Sequence, residues 1–344
     1  MVNSTPQFER ACGALAGMAI GDALGMPSQT LTREDIARHY GTITTFVPPY
    51  AGHPVSHGLQ AGQVTDDTEQ ALLLAARLID GSGQIDETLW AKDLLAWEAN
   101  VRRRGLRDLL GPSSKAALDA MLSGVPASET GRNGTTNGAA MRITPVGIAT
   151  SVDDLSTFLD RVELASRMTH NTGEAIAAAA AVAAVISCGI GGYGFDAAIE
   201  TALKAADQGQ NRGYDVGVND MSQRILAALA LAADGVSEQE LADQSGTSVA
   251  SHESVPAAFG VVRLAGGDPW KAALIAANIG DDTDTIGAIA GAMSGACSGI
   301  DAIRPDALAT VRAANELPIE TIAAGLLKQR AAVARAHPDL DGVA

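Results

Sequence analysis

Hydrophobic residues along this chain recur mostly three and four positions apart, the spacing of an amphipathic or buried α-helix. Many of the apolar stretches begin with Asp, Ser or Thr, residues that favour the N-cap of a helix. These patterns predict helices over residues 67–80, 86–103, 153–167, 173–188, 195–207, 220–233, 237–244, 254–265, 269–278, 285–299 and 318–336. The alternating pattern of a strand is rare, and its best example, residues 41–47, stands alone. We therefore predict an all-α protein.

Two helical segments carry glycine at every fourth position. The first series is Gly13, Gly17, Gly21 and Gly25, and the second is Gly287, Gly291, Gly295 and Gly299. A glycine inside a helix costs about 1 kcal/mol relative to alanine, so both series need a packing reason. Residues four apart form one ridge of a helix, and a ridge without side chains lets another backbone approach closely. We expect both helices at the centre of the fold, packed tightly against neighbours that can include each other. Asp22, beside the first ridge, then needs a buried partner.

The composition is that of an ordinary globular protein: of 344 residues, 47% are hydrophobic and 19% charged. No Pro/Ser-rich stretch or change of composition divides the chain, so residues 1–344 are predicted to form a single domain. The net charge of −16 disfavours nucleic acid and anionic membrane surfaces as partners. Nothing in the sequence indicates the oligomeric state.

Two further features bear on the cellular location. Residues 175–195 form an uncharged run of membrane-spanning length, but alanine and glycine dominate it and Glu174 precedes it, so a buried core helix is predicted. The three cysteines, Cys12, Cys188 and Cys297, show no CxxC pairing and lie in apolar surroundings. They are predicted to be buried reduced thiols, which suits a cytoplasmic protein.

Two short acidic clusters stand at the starts of predicted helices. One is Thr65, Asp66 and Asp67, and the other is Asp281, Asp282, Asp284 and Thr285. Acids in a first turn complement the helix dipole, and a capped helix start is the simpler interpretation of either cluster alone. Both following helices are mostly apolar, however, so their starts are expected to be buried, where carboxylates need a counter-charge. The nearest basic residues in the sequence, Arg77 and Lys271, lie on other turns.

Carboxylates and hydroxyls without thiols or imidazoles are the ligands that hard divalent cations prefer. The two clusters together therefore predict a site for Mg²⁺ or Mn²⁺, and the number of carboxylates favours two ions. This reasoning does not separate Asp281 from Asp282 as a ligand.

Five segments, in chain order, resemble the motif set of the ADP-ribosylglycohydrolase family. They are GMAIGDALGMP, VTDDTEQALLLA, NGAAMRITPVGI, SRMTHNTGEAIAAA and NIGDDTDTIGAIAGAMSG. The resemblance spans most of the chain, and it implies a compact orthogonal multi-helix bundle with a dinuclear magnesium or manganese centre. It also implies hydrolysis of the N- or O-glycosidic bond at the anomeric carbon of an ADP-ribosyl group.

The resemblance assigns roles to individual residues. It places metal ligands at Thr65, Asp66, Asp67, Asp282, Asp284 and Thr285, with Asp284 bridging. Asp66 or Asp67 is the candidate general base as well as a ligand, because two cations can hold the ribose and orient a water that a carboxylate deprotonates. The transition state of such a hydrolysis is oxocarbenium-like.

Substrate-binding roles fall on Gln29, Asn137, Gly138, Met141 and His170. Without the family, Asn137-Gly138 is equally a plain loop-to-helix turn, and His170 reads as a capping or core histidine. Gln29 stands where the family usually carries a glutamate, so this chain departs from the pattern there.

Two residues in SHESVPAAFG, His252 and Glu253, are interpreted equally well as part of the cleft or as a helix start.

Three functions remain open at this stage. The first is hydrolysis of the ribosyl bond in an ADP-ribosylated protein side chain or small molecule. The second is N-ribosidase activity on a nucleoside-like metabolite, which Gln29 and the lack of a basic cluster other than residues 102–104 favour slightly. The third is a non-catalytic module that binds ADP-ribose.

Overall fold

All regular structure in the described part of the chain, residues 5–106 and 110–336 of a computed structural model, is helical. Eighteen α-helices and one short 3-10 helix, Ile300–Ala302, cover these residues, which contain isolated β-bridges and no strand. The α-helices are α1 Pro6–Gly25, α2 Arg33–Tyr40, α3 Asp66–Asp80, α4 Glu87–Arg103, α5 Pro112–Leu122, α6 Ala127–Thr130, α7 Gly138–Met141, α8 Thr144–Ala149, α9 Leu155–Ser166, α10 Gly173–Ile190, α11 Phe195–Gly209, α12 Met221–Ala233, α13 Glu238–Ser245, α14 Ser251–Leu264, α15 Pro269–Ile279, α16 Thr283–Ser298, α17 Pro305–Ala314 and α18 Ile319–Ala336. The all-α prediction is confirmed.

Helix α10 lies at the centre, and every one of its residues is buried. Among the described residues it is the one helix long and apolar enough to cross a membrane. Its whole length is nevertheless covered by other helices, including α8, α11 and α16. The prediction of a buried core helix is therefore confirmed, and the three cysteines are buried as well.

The two glycine-bearing helices, α1 and α16, pack antiparallel against each other along their glycine ridges. A Cβ atom added to Gly17 would lie 2.1 Å from the carbonyl oxygen of Gly291, and one added to Gly21 would lie 1.9 Å from that of Gly287. No side chain fits between backbones at this distance. Seven of the eight glycines are therefore required by the close packing of the two helices. The eighth, Gly299, caps the end of α16 with a left-handed φ of 82°, a conformation that favours glycine.

Where the structure departs from the sequence patterns, tertiary contacts explain the difference. Residues 41–47 form no strand, because the Asn278 side chain bonds both the N–H and the C=O of Ile43, each at 2.9 Å. Helices α2, α5 and α17 and the short helices α6, α7 and α8 were not predicted. Helix α2 buries only Ile36, and α5 and α17 bury only a few residues, so these three lack the apolar periodicity on which the prediction relies. Helices α6, α7 and α8 are only 4 to 6 residues long, too short to show a helical period.

We expect Gly21→Ala to destabilise the protein, although alanine favours the helix by about 1 kcal/mol. The added methyl group meets the rigid backbone of α16, and overpacking of this kind costs about 1–3 kcal/mol or more. Urea unfolding would measure the change. The control is Gly194→Ala, where a Cβ atom meets nothing within 4 Å and we expect a loss below about 1 kcal/mol. A stabilised Gly21→Ala protein would contradict the close contact of α1 and α16.

Candidate active site

Asp22 of α1 fixes the start of α3. Its buried carboxylate accepts hydrogen bonds from the backbone N–H groups of Thr65 and Thr68, at 3.0 and 3.1 Å, and from both hydroxyls, at 2.8 and 2.6 Å. These are the partners that Asp22 was expected to need. Burial raises the pKa of Asp22 to about 6, and the hydrogen bonds from Thr65 and Thr68 oppose that rise. Asp22 therefore holds Asp66 and Asp67 in place through the first turn of α3.

The start of α16 is fixed against the end of α1 in a similar way. The Thr283 hydroxyl donates to the carbonyl of Gly25 at 2.8 Å and accepts a hydrogen bond from Ser28 at 3.1 Å. Thr283 thus ties the two helices together and leaves Asp282 and Asp284 as the carboxylates at the helix start. Asp282 accepts a hydrogen bond from the Asn137 amide, which also donates to Ser254 at 2.8 Å.

Asp281 is separated from this group by its backbone conformation. Its φ of 64° is left-handed, as is that of Thr30, and the two segments pair through hydrogen bonds from the Thr30 and Asp281 N–H groups. The Asp281 side chain is exposed, whereas Asp282 and Asp284 are buried. The structure thus distinguishes Asp281 from Asp282, which local sequence could not do.

Four buried carboxylates from the two helix starts influence one another strongly. Burial is the largest cause that raises the pKa values of Asp66, Asp67 and Asp284 well above their ordinary range, and repulsion between the carboxylates raises them further. Burial also raises the pKa of Asp282 to about 6, against the hydrogen bond from Asn137. The two clusters are therefore close enough in space to act as one electrostatic unit.

These residues fit a hard divalent cation. One carboxylate oxygen of Asp67, Oδ1, is buried without a hydrogen-bond partner. The other lies 3.1 Å from the Thr65 hydroxyl, which shares its single hydrogen between Asp67 and the nearer Asp22. No group of three or more His, Cys, Asp or Glu side chains in the described ranges is arranged so that it could hold a metal ion. The fit instead depends on the donor chemistry and on this orphaned oxygen, because mutually repelling buried carboxylates need positive charge.

A cavity of about 170 Å³ opens beside the carboxylates. It is smaller than the ~300 Å³ at the lower end of pockets that enclose a drug-sized ligand, so it can hold only part of an ADP-ribosyl group. Eight of the residues singled out from the sequence line it: Gln29, Asp66, Asn137, Gly138, Met141, Asp282, Asp284 and Thr285.

Three others, Thr65, Asp67 and His170, are buried just behind that wall and are not among the lining residues. A Cβ atom at Gly138 would lie 2.8 Å from the His170 ring, so only a glycine lets this wall pack directly on the imidazole.

Gln29 is buried in the cavity wall, and its hydrogen bonds show which side of its amide faces Ser56. Its Nε2 donates to the Ser56 hydroxyl at 2.9 Å, and Ser56 donates its own hydrogen to the carbonyl of Met26 at 2.8 Å. Ser56 must therefore accept from Gln29, which leaves the amide oxygen and the second N–H of Gln29 available to a ligand.

His252 and Glu253 take the helix-start role. Both lie in the first turn of α14, where His252 bonds Glu174 at 2.7 Å and Glu253 accepts from the N–H of Ser248 at 3.2 Å. Neither lines the cavity. Ser254 of the same segment reaches the site instead, through Asn137.

Sequence reasoning missed one basic residue near the carboxylates. Arg142, at the end of the NGAAMR motif, is fully buried. Burial lowers the pKa of its guanidinium to about 10, and Asp66 is close enough to oppose that shift. Its guanidinium donates to Gln70 at 3.0 Å and stacks over the Trp90 ring at 5.5 Å. Arg142 is thus held back from the carboxylates, and within residues 5–106 and 110–336 it forms no ion pair with them.

Comparisons with known proteins show the family to which this chain belongs. The family model for ADP-ribosylglycohydrolase matches residues 3–336. The uncharacterized protein YegU of Escherichia coli (strain K12) is 37% identical, over 94% of this chain and 97% of its own. The ADP-ribosyl-dinitrogen reductase glycohydrolase of Rhodospirillum rubrum is 30% identical, over 86% of this chain and 87% of its own.

Among solved structures, a chain of an ADP-ribosylglycohydrolase-related protein complex superimposes with a TM-score of 0.66 at 25% identity. The superposition covers 94% of this chain and 98% of that one. The resemblance of the five sequence motifs is thus confirmed over nearly the whole chain, and this protein belongs to the ADP-ribosylglycohydrolase family.

Proposed function

We propose that this protein hydrolyses the ribosyl C1 bond of an ADP-ribosylated protein side chain or small molecule, with two Mg²⁺ or Mn²⁺ ions as cofactors. The observation that carries the proposal is the convergence of Asp66, Asp282 and Asp284 on one small cavity in a member of this family. The name of the Rhodospirillum rubrum relative points in the same direction, because that protein acts on an ADP-ribosylated protein.

The residues that would hold the ions are Thr65, Asp66, Asp67, Asp282, Asp284 and Thr285. They offer only carboxylate and hydroxyl oxygens, and the orphaned Oδ1 of Asp67 is the oxygen with the greatest need of a cation. Bound divalent cations supply Lewis acidity toward the ribose oxygens and the attacking water.

Asp66 is the better of the two candidate bases. It lines the cavity, whereas Asp67 lies behind it. Asp66 is therefore the one of the two whose carboxylate is placed to accept a proton from a water in the cavity. The ring of carboxylates also stabilises the positive charge that develops on the sugar in an oxocarbenium-like transition state.

The runner-up function is N-ribosidase activity on a nucleoside-like metabolite. Two observations favour it: the cavity is small, and no Arg or Lys is among its described lining residues. A non-catalytic ADP-ribose-binding module is the third candidate, and turnover alone separates it from the other two.

A product screen decides between the three. We expect purified protein with Mg²⁺ to release free ADP-ribose from ADP-ribosyl-arginine, ADP-ribosyl-serine or ADP-ribose-1″-phosphate. Chromatography detects the released ADP-ribose. Release of free base from common nucleosides would instead establish the ribosidase. Binding of ADP-ribose without any turnover would leave only the binding module.

Asp284→Ala tests the cation site. If Asp284 bridges two ions, the variant should bind neither of them and should lose more than about 100-fold in activity, since even an outer partner of a metal ligand is worth 10–100-fold. Calorimetric titration with Mn²⁺ measures the number of ions. The control is Asp281→Asn, whose exposed side chain leaves the ion count unchanged. Equal loss of Mn²⁺ in both variants would show that the ligand assignment is wrong.

Gln29→Glu tests the role of the amide in the cavity wall. Ser56 donates its hydrogen to the carbonyl of Met26, so it has none to give to a glutamate at position 29. The glutamate oxygen and the Ser56 oxygen would then face each other without a hydrogen between them. The variant would also add a carboxylate beside the existing ones. A glutamate also lacks the second N–H that Gln29 can donate to the ligand. An acceptor of the bound ligand that is left unpaired costs about 1–3 kcal/mol, so we expect kcat/KM to fall about 5- to 150-fold. Steady-state kinetics on the best substrate from the screen measure this, with the exposed Gln60→Glu as control. An unchanged or higher kcat/KM would mean that the amide has no special role.

A further inference from the structure

A buried histidine closes a turn beside the cavity. His53 is 1% exposed, and its Nδ1 lies 3.2 Å from the backbone nitrogen of Val55 and 2.9 Å from that of Ser56. Both nitrogens are N–H donors, so Nδ1 accepts from both, and the neutral ring carries its hydrogen on Nε2. Asn and Asp side chains commonly close turns in this way, by accepting from the backbone two residues further along. His53 is thus the acceptor that holds residues 53–56 in their conformation.

The other ring nitrogen is left unpaired. Nε2 of His53 is buried without a hydrogen-bond partner among the described residues. Burial lowers the pKa of His53 to about 4, so the ring is neutral at pH 7, although the Gln29 backbone, close to the ring but not aligned with Nε2, opposes that shift. An unpaired buried N–H group costs about 1–3 kcal/mol, which an apolar side chain would avoid. The two hydrogen bonds at Nδ1 therefore need a reason that outweighs this cost.

The turn closed by His53 supplies part of the cavity wall. Val55 lines the cavity, and Ser56 is the residue that accepts from Nε2 of Gln29 at 2.9 Å. Ser56 is fixed at two points, because its N–H donates to His53 and its hydroxyl donates to the carbonyl of Met26 at 2.8 Å. Among the described residues, no other side-chain hydrogen bond fixes the Gln29 amide. If Ser56 moved, that amide could turn over and exchange the positions of its oxygen and its N–H groups.

A second link prevents the turn from adjusting independently. The Tyr40 hydroxyl donates to the carbonyl of Pro27 and accepts from the N–H of Tyr50, each at 2.8 Å. The Tyr50 ring in turn packs edge-on against the His53 ring, with 5.4 Å between the ring centroids. The turn is therefore attached at both of its ends to the segment that precedes α2. A change at His53 cannot be absorbed at one end of the turn, and it reaches Gln29.

We propose that His53 is a positioning residue for the candidate active site: its Nδ1 fixes Ser56, and Ser56 fixes which side of the Gln29 amide faces the ligand. The inference rests on the proposed function for its substrate. His53 itself does not line the cavity, so it acts on the ligand only through Gln29 and the wall at Val55. A fixed amide presents its oxygen as an acceptor at one place and its second N–H as a donor at another, which orients the substrate.

Two variants of similar size separate the acceptor at residue 53 from its bulk. Oδ1 of asparagine stands at the same place along the side chain as Nδ1 of histidine, so His53→Asn should keep kcat/KM within about 5-fold of the unaltered protein. Leucine has no acceptor, so His53→Leu should lower kcat/KM by about 10- to 100-fold, the cost of a small misplacement in an active site. Steady-state kinetics on the best substrate of the product screen measure both. The matched control is His57→Leu, at a half-buried histidine of the same segment outside the cavity lining, which should leave kcat/KM unchanged.

A double-mutant cycle with Gln29→Ala shows whether His53 acts through the amide. If it does, His53→Leu should change kcat/KM by less than about 3-fold in the Gln29→Ala protein, because the amide that it would misplace is absent. A residue with only a structural role would cost the same factor in both proteins. Equal losses in the two proteins, or equal losses in His53→Asn and His53→Leu, would overturn the proposal.

A second measurement needs no substrate. Nitrogen-15 NMR of the histidine rings should show hydrogen on Nε2 of His53 and none on Nδ1, and the His53→Asn spectrum identifies its signals. The side-chain N–H signals of Gln29, identified by their loss in Gln29→Ala, should exchange with solvent at least about 10-fold faster in His53→Leu than in His57→Leu. Hydrogen on Nδ1, or equal exchange in the two variants, would refute the inference whether or not the protein turns over any substrate.

The two proposals fail separately. A protein with the Nε2 tautomer and the faster exchange in His53→Leu that releases no product in the screen would refute the proposed hydrolysis and leave the role of His53 toward the amide standing. A protein that hydrolyses its substrate but loses nothing in His53→Leu would refute this inference and leave the proposed function standing.

Discussion

The direct backbone contact between α1 and α16 is the constraint on which the site depends. Because glycines meet glycines along both helices, the end of α1 lies directly beside the start of α16. Asp22, one turn before that end, reaches across to the first turn of α3. Three chain segments distant in sequence are thereby fixed at one point, and a side chain on either ridge would move the two carboxylate-bearing helix starts apart.

The protein stabilises its buried acids with neutral donors and keeps positive charge at a distance. Asp22 receives hydroxyl and backbone hydrogens, and Asp282 receives an amide hydrogen from Asn137. The basic side chain behind the wall, Arg142, donates to Gln70, whose amide lies 3.4 Å from Asp66. Neutral donors orient carboxylates without cancelling their charge. The cluster thus retains its negative charge, which the proposed binding of divalent cations and the proposed cationic transition state both require.

Arg142 also contacts a second buried region behind the cavity wall. It donates to the Thr169 hydroxyl, which lies 2.7 Å from Nδ1 of His170, and Nε2 of that ring lies 3.0 Å from the Thr136 hydroxyl. One buried cation therefore links Gln70, beside Asp66, to the residues packed behind Thr136.

The sequence was informative where a signal is local and periodic. Helical spacing predicted the long buried helices such as α10, and the glycine series predicted a close helix contact. The pairs of adjacent aspartates at residues 66–67 and 281–282 indicated the two helix starts that form the candidate site. Helix α2 was missed because it buries a single residue.

The partners of Asp22, the setting of Arg142 and the burial of His170 depend on which segments meet in space, and no local pattern encodes that meeting. The exposed position of Asp281 likewise follows from its left-handed backbone conformation, which a run of aspartates does not reveal.

The central claim is that the two acidic helix starts form one binding site for divalent cations. Anomalous scattering from crystals soaked in Mn²⁺ tests it most directly, because manganese peaks locate the ions without reference to activity. The account predicts two peaks, both between residues 65–67 and residues 282–285. A single peak, peaks at other acidic surfaces, or none at saturating Mn²⁺ would contradict it.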